Sequence, residues 1–243
     1  MTEPRREVNP YAQYETWKQW DREPFGSFTR KQHYYFKKLL TYNFGSNSSS
    51  LRLEVLEIGF GNGAFAGWLK ATHPKMSWAG VEIQDALVAK AQQAGFNGMS
   101  AIPDTAPQEQ YDLIAAFDVI EHLSDQDIKS FFAKASVMLK PKGVVLTRTP
   151  NAGGPFGLPN QTGDQTHVTP ISLSRLGGYL DNWQIEERGD LQPVWEGKFF
   201  SAIRNCVRLI LRTLISACVR FAFAPQPKTL LASNLHLTFK LRN

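Results

Sequence analysis

From residue 51 onward, short apolar runs alternate with longer stretches in which apolar residues recur three and four positions apart. Apolar runs of about four to eight residues bounded by turn formers read as buried strands, and the longer periodic stretches as amphipathic helices. The pattern predicts strands over Leu53–Ile58, Ser77–Glu82, Tyr111–Phe117 and Val144–Thr147, with a weaker one near Met99–Ile102. Helices are predicted from Gly63 through Leu69, over Asp85–Ala94 with Gly95 closing it, and from a capping box at Ser124 and Asp127 to about Lys140. Gln184–Glu187 and the strictly alternating Leu235–Leu241 read as two late strands. Strands alternating with helices predict a parallel sheet with right-handed crossovers.

The first 50 residues look different. Tyr11, Tyr14, Trp17, Trp20, Phe25 and Phe28 make residues 1–30 too aromatic for a free tail, and they are expected to pack on the main domain as a cap. Thr29–Tyr42 reads as a helix, and Gly45–Ser50 as a flexible joint. The expected division is a cap over residues 1–50, a main domain over 51–195 and 229–243, and an insert over 196–228.

Charge sharpens this division. The 243 residues hold 27 Lys and Arg against 22 Asp and Glu, a net charge of +5. Eight of the basic residues and none of the acidic ones fall in 198–243, so the first 197 residues carry a net −3. The excess therefore belongs to the tail and is no basic nucleic-acid surface. Two cysteines exclude a disulfide scaffold, and the first residues show no apolar secretory core. The histidines lack local metal-ligand spacing, so no metal site is expected.

Candidate chemistry begins where the first strand enters Gly59-Phe60-Gly61-Asn62-Gly63. A strand, a glycine turn and a helix can cradle a nucleotide, because glycines let backbone approach a ligand closely. A merely tight turn and a degenerate dinucleotide fingerprint share this pattern. Three carboxylates narrow it. Glu57 lies two residues before the first glycine. Glu82 ends the second strand, 19 residues after Gly63, where a carboxylate can grip ribose hydroxyls. Asp104 follows the third strand.

Val55–Gly63, together with Phe117-Asp118-Val119-Ile120-Glu121-His122-Leu123, resembles the class I S-adenosylmethionine (SAM)-dependent methyltransferases over residues 51–190 and the last strand. The resemblance implies a Rossmann-like, seven-stranded, mostly parallel sheet with helices on both faces, here with an aromatic N-terminal cap and a helical insert before the last strand. It implies SAM as cofactor, with Glu57, Gly59, Gly61 and Gly63 around its amino-acid part, Glu82 on the ribose and Asp104 near the adenine. Asp118 falls at the carboxyl end of strand four, where ligands bind in such sheets. Glu121 and His122 serve equally well as helix-start capping and packing residues.

The acceptor side is expected on the loop after strand five, which runs through Arg148–Gly157 and Gly163–Pro170. Such long loops at a sheet edge commonly carry function. The loop, with its Gly163-Asp164-Gln165-Thr166-His167, and the Trp17–Gly26 stretch resemble a subgroup of these methyltransferases associated with bacterial surface polysaccharides. Asp164 and His167 are candidates for acceptor binding or proton removal, with Asp118 beside them; a loop turn and a helix cap are their structural alternatives. The implied acceptor is a small molecule, glycan or glycolipid, and O-methylation is the implied reaction. A lipid or quinone acceptor and a non-catalytic SAM-binding module are the rivals.

Phe199–Ala224 is long enough to span a bilayer, but it carries Arg204, Arg208, Arg212 and Arg220. A central arginine costs about 2.5–3.5 kcal/mol on insertion scales, which disfavours a span. Arginines at i, i+4 and i+8 on an otherwise apolar helix suit an in-plane membrane helix, or a helix packed on the domain or on a dimer partner with its arginines solvated. A cytoplasmic protein, peripheral on the inner face of the membrane, is the expected setting. Cys206 and Cys218 are separated by about 18 Å of helix, too far to pair.

Overall fold

The computed structural model describes residues 18, 20–103, 108–188, 199–223 and 232–242. A single seven-stranded sheet organises them: β1 (Glu54–Ile58), β2 (Ser77–Val81), β3 (Asn97–Met99), β4 (Tyr111–Phe117), β5 (Leu139–Pro150), β6 (Trp183–Arg188) and β7 (Asn234–Leu241). Their spatial order is β3-β2-β1-β4-β5-β7-β6. β1 to β5 run parallel, while β7 pairs antiparallel with both β5 and β6. The order reverses between β1 and β4, which creates the crevice where open α/β sheets bind ligands.

The helices are α1 (Arg30–Phe44), α2 (Ala64–Thr72), α3 (Asp85–Gln93), α4 (Asp125–Met138), α5 (Leu158–Thr162), α6 (Leu173–Gly177) and α7 (Phe199–Phe223). Their starts follow local chemistry. Thr29 and Gln32 close a capping box on α1, and the Ser124 hydroxyl accepts from the Asp127 amide at the start of α4.

Alternation along the strands gives the sheet two buried faces. Leu56, Ile114, Val145, Leu237 and Phe239 pack with Ile128, Phe132 and Trp183 on one side. Val55, Leu113, Ala115, Val144 and Leu146 pack on the other against Phe36 and Leu40 of α1 and Phe65 and Trp68 of α2. Burying one such side chain is worth about 1.5–3 kcal/mol. Phe132, 1% exposed and 4.5 Å from the Phe239 ring, joins a helix to the last strand. Truncating it to alanine would cost about 3–5 kcal/mol.

Two local expectations need correction. Residues 45–50 are a folded connection, ending in a 3-10 turn at Ser48–Ser50 with Ser48 buried 3.4 Å from His73 Nε2. β3 lies two residues earlier than expected. Gly98 of β3 pairs with Gly80, and a Cβ on Gly98 would meet the Ala91 side chain at 3.1 Å. Close approach of α3 selects this register over the more apolar residues that follow.

Candidate active site

β1 ends in the glycine turn, at the crevice. Gly59, Gly61 and Gly63 take φ of 67°, 53° and 69°, a region that side chains disfavour. A Cβ on Gly61 would lie 2.7 Å from the Trp20 ring, and one on Gly63 2.1 Å from the Phe25 ring. The segment Trp20–Gly26 thus straps the turn. It is pinned by Gly26 N donating to Asn62 O (2.8 Å) and by Lys90 Nζ donating to Trp20 O (2.5 Å) and Asn62 Oδ1 (2.8 Å). Phe25 packs edge-on to Phe60 and Phe96. Trp17 lies outside the described residues.

The two carboxylates near the turn are buried and held. Glu82 Oε2 accepts from Gly61 N (3.0 Å) and its Oε1 from Gln84 N (3.2 Å), so the end of β2 is tied to the turn. Glu57 Oε2 accepts from the Trp78 indole at 2.9 Å. Burial pushes the Glu57 carboxyl up to about 8; the Trp78 bond opposes this rise and the neighbouring Glu82 charge adds to it. Asp104 lies outside the described residues.

Across the crevice, Asp118 follows β4 in a left-handed conformation (φ 55°). Its carboxylate is gripped bidentately by Arg148 at the end of β5, with Nε donating to Oδ1 at 2.8 Å. Burial alone would raise the Asp118 carboxyl, but Arg148 outweighs it and holds the group below its ordinary value. Arg148 lies 5.5 Å from the Tyr35 ring centroid and 6.0 Å from that of Phe117. Val119 touches the glycine turn, since a Cβ on Gly59 would meet Val119 Cγ2 at 2.6 Å. Glu121 and His122, two and three residues further on, are thereby brought near the glycine turn.

The loop after β5 folds back onto this segment. The amides of Val168 and Thr169 both donate to Glu121 O (2.9 and 3.0 Å), and Thr169 Oγ1 donates to Leu123 O (2.6 Å). This clamp sets His167 against Glu121 and His122. His167 Nε2 lies 4.0 Å from Glu121 Oε1 and 3.8 Å from Asp164 Oδ2, and the two imidazole rings stand edge-to-face at 4.6 Å. Asp164 also turns the loop, its Oδ1 accepting from Thr166 N (3.0 Å) and Thr166 Oγ1 (2.5 Å). Lys18 Nζ approaches its other oxygen at 3.9 Å. These residues line a cavity of about 350 Å³ with Asp118, Pro150, Asn160 and Asn234.

The structure therefore gathers Asp118, Asp164 and His167 at one cavity, and places Glu57, Glu82 and the glycines in an adjoining cradle. No signal in the sequence marks Trp78, Lys90 and Arg148, which hold Glu57, Asn62 of the turn and Asp118. Sequence inspection weighed Glu121 and His122 without seeing that His167 joins them. Their 45-residue separation leaves no local signal, and only the clamp through Val168 and Thr169 brings them together.

A methyltransferase-domain family model matches residues 28–200. The chain belongs to this family, and its cofactor is S-adenosylmethionine. Three solved structures share the fold. A SAM-dependent methyltransferase from Archaeoglobus fulgidus superposes with a TM-score of 0.62 at 16% identity, covering 93% of this chain and 99% of that one. The plantazolicin methyltransferase BpumL, solved with SAH, gives 0.58 at 16% identity, covering 97% and 92%. The PH0226 protein from Pyrococcus horikoshii OT3 gives 0.54 at 11% identity, covering 93% and 99%. No curated protein matches the sequence.

The residues present fit the cofactor. A turn of three positive-φ glycines follows β1, and Glu82 places a buried carboxyl just after β2, the types of group such a cofactor needs.

Proposed function

We propose that this methyltransferase carries the SAM methyl to a hydroxyl oxygen of a small-molecule or glycan acceptor seated in the Asp118–Asp164–His167 cavity. The observation that carries the proposal is the buried carboxylate–imidazole cluster opening on that cavity and abutting the glycine turn through Val119. The glycine turn receives the amino-acid part of SAM, with Glu57 beneath it, and Glu82 receives the ribose; the resemblance assigns Asp104 to the adenine. The acceptor oxygen attacks the methyl carbon, the C–S bond breaks with its electrons going to sulfur, and S-adenosylhomocysteine leaves. The hydroxyl proton passes to the Asp164–His167 pair. Asp118, held by Arg148, positions the segment carrying Glu121 and His122. Most of the rate comes from holding the oxygen in line with the methyl, and orientation alone supplies about 7–11 kcal/mol. The "GD-x-TH" loop resemblance favours a glycan or glycolipid acceptor. Incubating the protein with methyl-labelled SAM and fractionated cell extract tests this. Label in a glycan fraction is expected. Label confined to sugar-free lipid would move the acceptor to a lipid or quinone. SAM binding with no transfer to any fraction would leave a non-catalytic module.

A second proposal concerns where the enzyme works, and α7 carries it. We propose that α7 lies in the plane of an anionic membrane surface, on the inner face of the membrane. Phe200 is 84% exposed, Ile210 60%, Leu214 57% and Phe221 94%; they fall with Ile203 and Val207 on one stripe spaced by threes and fours. Of its residues only Ser201 and Asn205 are buried. Arg204, Arg208 and Arg212 follow one another at i, i+4 and i+8 beside this stripe, and α7 contains no acidic residue. An apolar stripe flanked by a row of arginines suits an anionic membrane surface, where headgroup charge attracts them. No described helix is long and apolar enough to cross a membrane. Cys206 and Cys218 are exposed on α7 as free thiols. The full-length protein should sediment with phosphatidylserine-containing vesicles at low salt. At about 1 kcal/mol per arginine, replacing Arg204, Arg208 and Arg212 by glutamine should weaken binding about 100-fold. Indifference of the wild type to these vesicles would sink the membrane proposal and favour a protein partner.

A further inference from the structure

Within the acceptor cavity, one fully buried carboxyl lacks a close hydrogen bond, its nearest groups being the Thr149 hydroxyl and, at 4.0 Å, His167 Nε2. Glu121 is 0% exposed, and neither side-chain oxygen makes a close hydrogen bond. An isolated buried carboxylate is costly, and native structures pair such groups or give them to a metal. Glu121 has metal-binding company. One candidate ligand atom from each of Glu121, His122 and His167 lies within 4.8 Å of the others.

The backbone around the two imidazoles fixes their tautomers. His167 Nδ1 sits 3.1 Å from Gln161 O, and His122 Nδ1 sits 3.1 Å from Thr166 O. A nitrogen against a carbonyl oxygen carries a proton, so in the neutral form of each ring Nε2 holds the lone pair. Metal-binding histidines commonly have this arrangement, with the far nitrogen donating to a carbonyl that orients the ring. Nε2 of His167 is also the atom that faces Glu121 Oε1 at 4.0 Å.

We propose that Glu121, His122 and His167 bind one divalent transition-metal cation, whose open position takes the acceptor oxygen. Two imidazoles and a carboxylate suit Mn²⁺, Fe²⁺, Co²⁺ or Zn²⁺. Ligands about 2.0–2.2 Å from a common ion lie roughly 3–4 Å apart, so small side-chain rotations close the present cluster. The inference rests on the acceptor side proposed above and refines it. With the cation bound, His167 is a ligand and orients the ion, and the acceptor proton goes to Asp164, whose Oδ2 lies 3.8 Å from His167 Nε2. Coordination lowers the pKa of a bound hydroxyl, which makes its oxygen a better nucleophile. The ion undergoes no redox change, and the methyl, the proton and the C–S electron pair go where the reaction above sends them.

Metal binding can be read without methyl transfer. The full-length, EDTA-stripped protein is titrated with Mn²⁺, followed by paramagnetic resonance of the free ion; Mn²⁺ avoids the exposed thiols of α7. One saturable site per chain is expected. Glu121→Gln and His167→Asn, each checked for folding by thermal melting, should weaken it by more than the about 10–100-fold that even a supporting residue costs. Co²⁺ supplies a second readout, because visible absorption bands of wild-type protein should fade in both variants. No saturable Mn²⁺ or Co²⁺ site in the wild type, or a site unchanged in both folded variants, would overturn the proposal. A metal site that survives while no acceptor is ever methylated would keep this inference and remove the O-methylation proposal.

Discussion

The two sides of the crevice handle buried polar groups in opposite ways. On the cofactor side they are tied down: Glu82 to the Gly61 and Gln84 amides, Glu57 to the Trp78 indole, Asn62 to Lys90. On the acceptor side, the two oxygens of Glu121 make no close hydrogen bond, with His167 Nε2 4.0 Å away, and Thr147 Oγ1, Thr149 Oγ1 and Gln161 Oε1 are also buried without close hydrogen bonds. A satisfied polar network is rigid, whereas an unsatisfied one carries a standing cost until a ligand completes it. The contrast teaches that the glycine-turn side is held rigid by its own hydrogen bonds, while the opposite wall leaves buried polar atoms unsatisfied.

The largest effect that can test this contrast is on transfer itself. His167→Ala should lower kcat about 10²–10⁴-fold, the range for losing acid–base assistance, while calorimetric SAM affinity stays within about twofold. Normal kcat and kcat/KM in a folded His167→Ala protein would make the residue structural and turn attention to Asp164. A raised acceptor KM with kcat intact would assign it to binding alone.

Glu82→Ala probes the other side and should do the reverse. It removes charge-assisted hydrogen bonds worth about 1.5–3 kcal/mol, or about 10–150-fold in SAM affinity. It also deprives Gly61 N of its acceptor. Glu82→Gln, which keeps an acceptor oxygen there, should recover part of the loss. Unchanged affinity in both variants would move the ribose away from β2.

Much of this architecture was legible along the chain. Periodicity located six of the seven strands, β5 only over its Val144–Thr147 part, because these strands are apolar and bounded by glycine, proline or charge. It misplaced β3, where the fit of Gly98 against α3 overrode hydrophobicity. The glycine turn and Glu82 were visible because a nucleotide cradle is local in sequence. The Glu121–His122–His167 grouping was not, since it depends on two amides of a distant loop binding one carbonyl. The aromatic richness of the first 30 residues predicted packing without a target. The structure supplies one, with Trp20 on Gly61 and Phe25 on Gly63.

The smallest predicted effect concerns the cost hidden in the well-satisfied cradle. Glu57 is 4% exposed, and burial, only partly offset by the Trp78 bond, lifts its carboxyl to about 8 from an ordinary 4.5. The folded state therefore holds a proton that the unfolded chain releases near pH 4.5. The sign follows directly: Glu57's contribution to stability is intact below that pH, and is lost progressively as pH rises toward 8. Without SAM, the melting temperature should fall between pH 5 and pH 9. Glu57→Gln keeps an oxygen for the Trp78 indole but cannot ionise, so its melting temperature should fall less over the same range. Other raised carboxyls, Glu121 and Glu187, titrate in both proteins and cancel in the comparison. Parallel pH profiles in the two proteins would mean that Glu57 stays ionised in the fold, and the cradle would then carry two adjacent negative charges beneath the cofactor.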